Sequence, residues 1–197
     1  MGKAERTRQF IIEQAAPIFN AKGIAGTTID DILAATKMAK GGLYGHFESK
    51  EEIAIVMVDY LLNKLGDKIA SVITKEKTAI KKIFAFIDLY KDPIKSYIDG
   101  GCPVLNFGVE TDDTNPVIKQ KVKAAIEGGQ QILTDIINQG VANNELSAGI
   151  KADDMSVKIF ATLEGGMVMS RVTGNAKYMQ VLIATLKTDL NSYVIKK

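Results

Sequence analysis

The chain has 197 residues, 46% of them hydrophobic and 24% charged, with a net charge of +2. That balance is typical of a soluble globular chain of one domain, or of two small ones sharing a core, and it excludes a disordered tail protein. No run of about 18 or more apolar residues occurs, so no span of a membrane is expected; one cysteine, Cys102, and one histidine, His46, leave no disulfide or multi-cysteine zinc framework and few routes to histidine chemistry.

The start, Met1-Gly2-Lys3-Ala4-Glu5-Arg6, carries no apolar signal stretch, and Arg6 stands where a myristoylation signal needs Ser or Thr. A cytoplasmic location is therefore expected, as the lone cysteine also implies. Proline occurs only at positions 17, 93, 103 and 116. Apolar residues recur at three- and four-residue spacing, and hairpin-bounded β-branched clusters are absent, so the fold class is all-α. A first helix runs from about Lys3 to Lys22 with a stripe of Phe10, Ile11, Ala15, Ile18 and Phe19. Pro17 is expected to kink or loosen it and Gly23 to end it. Thr28, with Asp31 three residues on, caps a short helix, Ile29 to about Thr36. A turn at Lys37-Met38 leads to a second short helix, about Ala39 to Gly45. Ser49 and Glu52 form a capping box for a longer helix, with Ile53, Val56, Met57, Tyr60, Leu61 and Leu65 on one face.

A fifth helix is expected from about Glu76 to Tyr90. Pro93, Gly100-Gly101 and Pro103 should cut the stretch from Ile94 to Thr111 into short helical pieces. Asn115-Pro116 opens a long helix to about Val141. Asn143-Asn144 and Gly149 mark a loop. Two more helices follow, about Asp153 to Val172 and Ala176 to Val194, separated at Gly174-Asn175. The stretch from Leu65 to Lys75 is the best boundary, dividing the chain into residues 1–65 and 66–197.

The informative segment is Thr27 to Ile53. Two short helices joined by a few residues bury little by themselves; a third helix packed across them makes the helix-turn-helix plan, whose second helix enters the major groove. Ile29, Ile32, Leu33, Leu43, Phe47 and Ile53 supply the small shared core. Outward on the second short helix remain Lys40, Gly41, Gly42, Tyr44 and Gly45. Small residues let a helix sit close to base edges; Lys40 can offset phosphate or donate to guanine, and the Tyr44 hydroxyl can donate to phosphate. Thr28 and Lys50 sit at helix N-termini, where amides and the dipole favour phosphate. Residues 1–50 hold seven Lys or Arg against five Asp or Glu, so a basic footprint must come from placement. Lys3, Arg6 and Arg8 fit either a basic arm along the DNA backbone or a solvated charged terminus.

Thr27-Thr28-Ile29-x-x-Ile32, Ala35, Lys40-Gly41-x-Leu43-Tyr44-x-His46-Phe47 and Ser49-Lys50-Glu51 together resemble the DNA-binding domain of the TetR family of bacterial transcriptional regulators. Gly101-Cys102-Pro103-Val104-Leu105-Asn106 is similar to a segment of one subgroup. The resemblance implies about nine helices: an N-terminal three-helix DNA-binding domain and a larger C-terminal helical domain for ligand and dimerisation. It also implies a homodimer on a palindromic double-stranded operator, a small-molecule effector, and a phosphate contact from His46, which otherwise simply ends the recognition helix. Two positions depart from the family. Lys37 stands where Gly is usual, costing about 1 kcal/mol if left-handed. Ala39 stands where Ser or Thr often caps, giving up about 0.5–2 kcal/mol.

The last two helices carry apolar residues on more than one face, which fits pairing with a second copy. Leu163, Gly166, Val181, Leu182 and Leu186 are the expected dimer contacts. Phe84, Ile87, Tyr90, Tyr97, Leu105, Phe107, Ile126, Gln130, Leu133, Phe160 and Met167 are the expected walls of an apolar pocket for an apolar or amphipathic effector. Glu164 and Glu110 fit either attraction of a cationic ligand or an ion pair, for Glu164 with Arg171. Cys102 fits a redox sensor or a small buried residue. No HExxH, P-loop or nucleotide-binding glycine pattern occurs. No enzyme activity, cofactor or metal is expected, and the reading is a ligand-responsive repressor. The competing reading is a helical protein-interaction module that does not bind DNA.

Overall fold

A computed structural model describes residues 2–195. Nine helices occur among them: α1 (Lys3–Gly26), α2 (Ile29–Thr36), α3 (Lys40–Tyr44), α4 (Lys50–Ile73), α5 (Ala79–Asp88), α6 (Pro103–Thr111), α7 (Pro116–Ala142), α8 (Ala152–Thr173) and α9 (Lys177–Ser192). The chain forms two compact units. Among the described residues, one runs up to Leu65 and adds Ile98–Ala124; the other comprises Gly66–Tyr97 and the described residues from Ala125. The division falls inside α4 and α7. Thus the stretch from Leu65 to Lys75, expected to be a break, is helical through Ile73, and α6 is built into the first unit rather than the second.

In the first unit α1 buries Ile11, Ala15 and Phe19 completely, with Ile12, Ala16 and Asn20 on the neighbouring row. These are i, i+4, i+8 rows, so Phe10 falls to their edge and is 44% exposed instead of lying in the buried stripe. Pro17 does not break the helix: the one non-helical residue inside α1 is Gly23, at φ 77° and ψ 172°. Thr27 is fully buried, and its hydroxyl donates to the Gly23 carbonyl at 2.6 Å. Ile32, Leu43 and Ile53 are fully buried and Phe47 nearly so, whereas Ile29 and Leu33 are half-buried. Arg8 fastens α1 to the following helices. Its guanidinium lies 4.5 Å from the centre of the Phe47 ring, bonds Glu52 at 2.9 Å and donates to the His46 carbonyl at 3.4 Å. Arg8 is thereby taken out of any basic arm, leaving Lys3 and Arg6 exposed. The α4 cap is also asymmetric. Ser49 Oγ accepts the Glu52 amide at 3.1 Å, but the Glu52 carboxylate accepts from the Glu48 amide at 2.6 Å, not from Ser49.

In the second unit α8 and α9 pack closely. Gly166 lies so near α9 that an added Cβ would stand 3.0 Å from both Leu182 Cδ1 and Met179 Cε. Gly174, at φ 65°, ends α8 in the left-handed conformation. The N-terminus of α5 is closed by Glu145, whose carboxylate accepts the Ala79 amide at 2.6 Å. The stretch 89–102 is turns and bends, and Pro103 then starts one helix at its first turn, in place of several short pieces.

Lys37 is left-handed, at φ 57° and ψ 26°. A lysine Cβ crowds the backbone there and glycine's hydrogen does not. Lys37→Gly is expected to stabilise the chain by about 1 kcal/mol, raising Tm by about 2–4 °C. Thermal denaturation checks this; an unchanged or lower Tm contradicts it.

Candidate nucleic-acid interface

The α2–α3 pair starts from a tightly closed cap. Thr28 Oγ1 accepts the Asp31 amide at 3.1 Å and donates to Asp31 Oδ2 at 3.0 Å, while the Thr28 amide donates to the same oxygen at 2.9 Å. Lys22 Nζ holds the other Asp31 oxygen at 2.6 Å. The Lys22 bond, then the Thr28 backbone and hydroxyl, lower the Asp31 carboxyl from 3.8 to about 2. The cap's charge-dependent contribution is thus complete above pH 3.8 and is lost as pH falls through that value toward about 2. Thr28, expected to meet phosphate, spends both its hydroxyl and its amide on this cap.

α3 begins differently. Ala39 is its N-cap, with extended torsions and no side-chain hydrogen bond. Five residues make the helix, and Leu43 alone among them is buried. Lys40, Gly41, Gly42 and Tyr44 face outward together, with Tyr44 38% exposed. The glycines differ. A Cβ on Gly42 would stand 3.1 Å from Met38 Cε, a flexible tip, whereas a Cβ on Gly41 would meet nothing within 4 Å. Glycine inside a helix costs about 0.5–1 kcal/mol relative to alanine, and at Gly41 no internal contact calls for it. Gly66 and Gly128 are equally open, but Gly41 is the one set between an exposed lysine and an exposed tyrosine. His46 is half-buried; its amide closes the end of α3 on the Leu43 carbonyl at 3.0 Å. Lys50, at the start of α4, lines a cleft of about 520 Å³ with Ile24, Ala25, Ala54 and Glu110, among others.

The expected dimer contacts are redistributed. Leu163, Gly166 and Leu186 are buried in the packing of their own subunit, so they are not on an exposed face; Val181 is 54% exposed and Leu182 half-buried. The open apolar row on α8 is Val157, Ala161, Gly165, Val168 and Val172, on a different face of the helix from Leu163 and Gly166. The expected pocket residues also divide. Leu105 and Phe107 belong to the first unit and the other nine to the second. Phe107, Ile87, Tyr90, Leu133 and Met167 are buried; Leu105, Ile126, Gln130 and Phe160 are half-buried. Tyr97 is 49% exposed, with Lys68 Nζ 4.9 Å from its ring centre. Half-buried Phe84 sits under Lys187 Nζ at 5.0 Å, and Lys187 bonds Asp88 at 2.7 Å. Tyr90 Oη reaches Glu164 Oε1 at 3.5 Å, and Arg171 donates to the Pro93 carbonyl at 3.2 Å rather than pairing with Glu164.

A short helix with one buried side chain and an otherwise outward face, following a capped helix packed on α1, is the arrangement of a helix-turn-helix DNA-binding protein. Residues 11–57 match the family of bacterial regulatory proteins, tetR family, and residues 79–186 match the tetracyclin repressor-like C-terminal domain. The chain belongs to the TetR family and is a transcriptional regulator, not an enzyme. It is similar to a TetR transcriptional regulator from Chloroflexus aurantiacus J-10-FL, at 35% identity, 98% coverage of both chains and a TM-score of 0.93. The HTH-type transcriptional repressor DhaR of Mycobacterium sp. (strain GP1) is 23% identical over 85% of this chain and 84% of its own. The regulator CifR, in a cysteine mutant solved with a 26-base-pair double-strand operator DNA, shares the fold at 16% identity and a TM-score of 0.78, covering 94% of this chain and 96% of its own.

Sequence reasoning overlooked Asn20 and the hydrogen bonds that Asn106 and Glu110 make to the backbone of α1. Their signal was available: a buried-row asparagine on α1, and a polar pair four residues apart on a mostly apolar α6.

Gly41→Ala is expected to raise unfolding stability by about 0.5–1 kcal/mol. It is also expected to weaken binding to a cognate duplex about tenfold, within the roughly 1–3 kcal/mol range of a disturbed base contact. Chemical denaturation and fluorescence anisotropy measure the two. Stability and affinity rising together contradict the assignment of this face.

Proposed function

We propose that the chain acts in the cytoplasm as a homodimeric repressor, placing α3 of each subunit in successive major grooves of a two-fold symmetric operator. The observation that carries this reading is the exposed Lys40-Gly41-Gly42-Tyr44 face, whose Gly41 has room for a Cβ on the protein side. In this reading Gly41 and Gly42 permit close approach, while Lys40 and Tyr44 meet phosphate or base edges, with Lys50 and His46 at the flanks. Thr28 supports the interface by fixing the α2 cap. The operator complex of the CifR relative is consistent with this use of the fold.

Two-fold pairing supplies the spacing, about 34–36 Å or a little more between recognition helices. The open row on α8 and the exposed Tyr178 and Val181 of α9 support it. An exposed apolar stripe on two adjacent helices is a natural partner surface, and Gly165, with nothing within 4 Å of a built Cβ, leaves room for a second helix. No described helix is long and apolar enough to cross a membrane. An apolar or amphipathic effector, held among the buried aromatic and aliphatic side chains of the C-terminal part, releases the DNA. To turn occupancy from 99:1 to 1:99 it must prefer the non-binding form by about 5.5 kcal/mol.

With about 6–10 phosphate contacts, affinity is expected to fall about 10³–10⁵-fold between roughly 50 and 200 mM salt. Lys40→Ala should lower the salt slope by about one and Tyr44→Ala should weaken binding, both leaving the dimer intact. A flat salt profile refutes the DNA interface. Val168→Asp is expected to give monomers in sedimentation and to lose operator binding. Dimers that persist with Val168→Asp contradict the proposed pairing face.

A further inference from the structure

Where α1 is interrupted at Gly23, two backbone groups that a continuous helix would pair with each other are separated, and α6 takes both. In an unbroken α-helix the Ile24 amide would donate to the Asn20 carbonyl. Here the Asn20 carbonyl accepts from the Asn106 side-chain amide at 3.0 Å, and the Ile24 amide donates to Glu110 Oε2 at 2.8 Å. The Ala25 amide donates to Glu110 Oε1 at 2.8 Å. Asn106 and Glu110 are four residues apart and so share one face of α6. That face replaces, with side chains, the bonds that α1 gives up at its break.

The fit is close on both sides. Gly23 has φ +77°, and a Cβ there would stand 2.8 Å from Glu110 Oε2. Gly100, at φ +93°, presses on Asn20, so that a Cβ would stand 2.8 Å from the Asn20 carbonyl oxygen. Asn20 is 2% exposed, and its amide donates to the Asp99 and Gly101 carbonyls at 2.7 and 3.0 Å. The segment thus pinned leads within three residues to Thr28, the cap of α2, and through α2 to α3.

We infer that Asn106 and Glu110 are positioning residues for DNA reading: from outside the helix-turn-helix they set the angle at which α2 and α3 leave α1. This rests on the DNA-binding reading above. Neither residue is asked to touch DNA. Removing them frees the link between Gly23 and Thr28, and the affinity lost is that of a recognition helix no longer held ready.

The test uses full-length protein and a duplex that the wild type selects from a random-sequence library. Glu110→Ala should bind that duplex at least tenfold more weakly. Glu110→Gln should fall between, because its amide oxygen can accept one of the two N–H groups while its NH₂ faces the other. Asn106→Ala should weaken binding in the same direction. The slope of log affinity against log salt should be unchanged in all three, since no phosphate contact is removed. Hydrogen exchange without DNA should quicken at Ile24 and Ala25. If Glu110→Ala does not fold, the isosteric Glu110→Gln carries the test. Wild-type affinity in the Glu110 variants overturns the inference while leaving the DNA interface standing. So does a loss that vanishes at a temperature where circular dichroism shows every variant fully folded. A wild type that selects no duplex overturns the DNA interface, and the inference falls with it.

Discussion

A five-residue helix containing two glycines has no stability of its own. Helix nucleation is costly, and isolated helices even three times as long are marginal in water. α3 (Lys40–Tyr44) therefore exists because Leu43 is completely buried, and Phe47, just after it, is nearly so. The whole first unit serves that constraint. Arg8 stacks on Phe47 and bonds Glu52. The Thr28–Asp31–Lys22 cluster fixes the start of α2. With its interior side so firmly tied, α3 can leave its other side to residues that do nothing for folding, and Gly41 is the plainest of these.

The second constraint is the backbone at the end of α1. A helix that stops leaves amides and carbonyls to be satisfied elsewhere. Here the answer comes from α6, nearly ninety residues later in the chain, which is why α6 belongs to the same compact unit as α1, α2 and α3. Glu110 was open to two readings, a ligand for cations or half of an ion pair. The structure gives it a third role, as an acceptor for two backbone amides. Its partner Asn106 explains why the segment beginning at Gly101 is laid out as it is: the glycines at 100 and 101 allow the turn, Pro103 starts the helix, and Asn106 reaches the Asn20 carbonyl.

Much of this was legible in the chain. The α2 cap, the left-handed Lys37, the uncapped Ala39 and the buried Ile32, Leu43, Phe47 and Ile53 follow from local rules of spacing, capping and sterics. What was not legible depended on distant partners. Phe10 and Ile11 are equally apolar, and their ranking came from which row of α1 the other helices cover. The helix expected to end near Leu65 runs on to Ile73, because polar residues after Leu65 do not oppose a helix; they only stop marking its buried face. Leu163, Gly166 and Leu186 read as partner contacts because α8 and α9 are apolar on more than one side, and periodicity does not say which side the subunit keeps for itself. Tyr97 and Phe84 stand out by aromatic character, and nothing near them in the chain says that each lies beneath a lysine.

The central claim is that the outward face of α3 is covered by DNA in the functional complex. Lysine acetylation footprinting on the full-length protein, with and without a duplex the protein itself selects, reads this directly. The account predicts strong protection of Lys40 on adding the duplex, with exposed Lys91 and Lys177 of the second unit reacting as before. A Lys40 that stays fully reactive while the duplex is bound would contradict it.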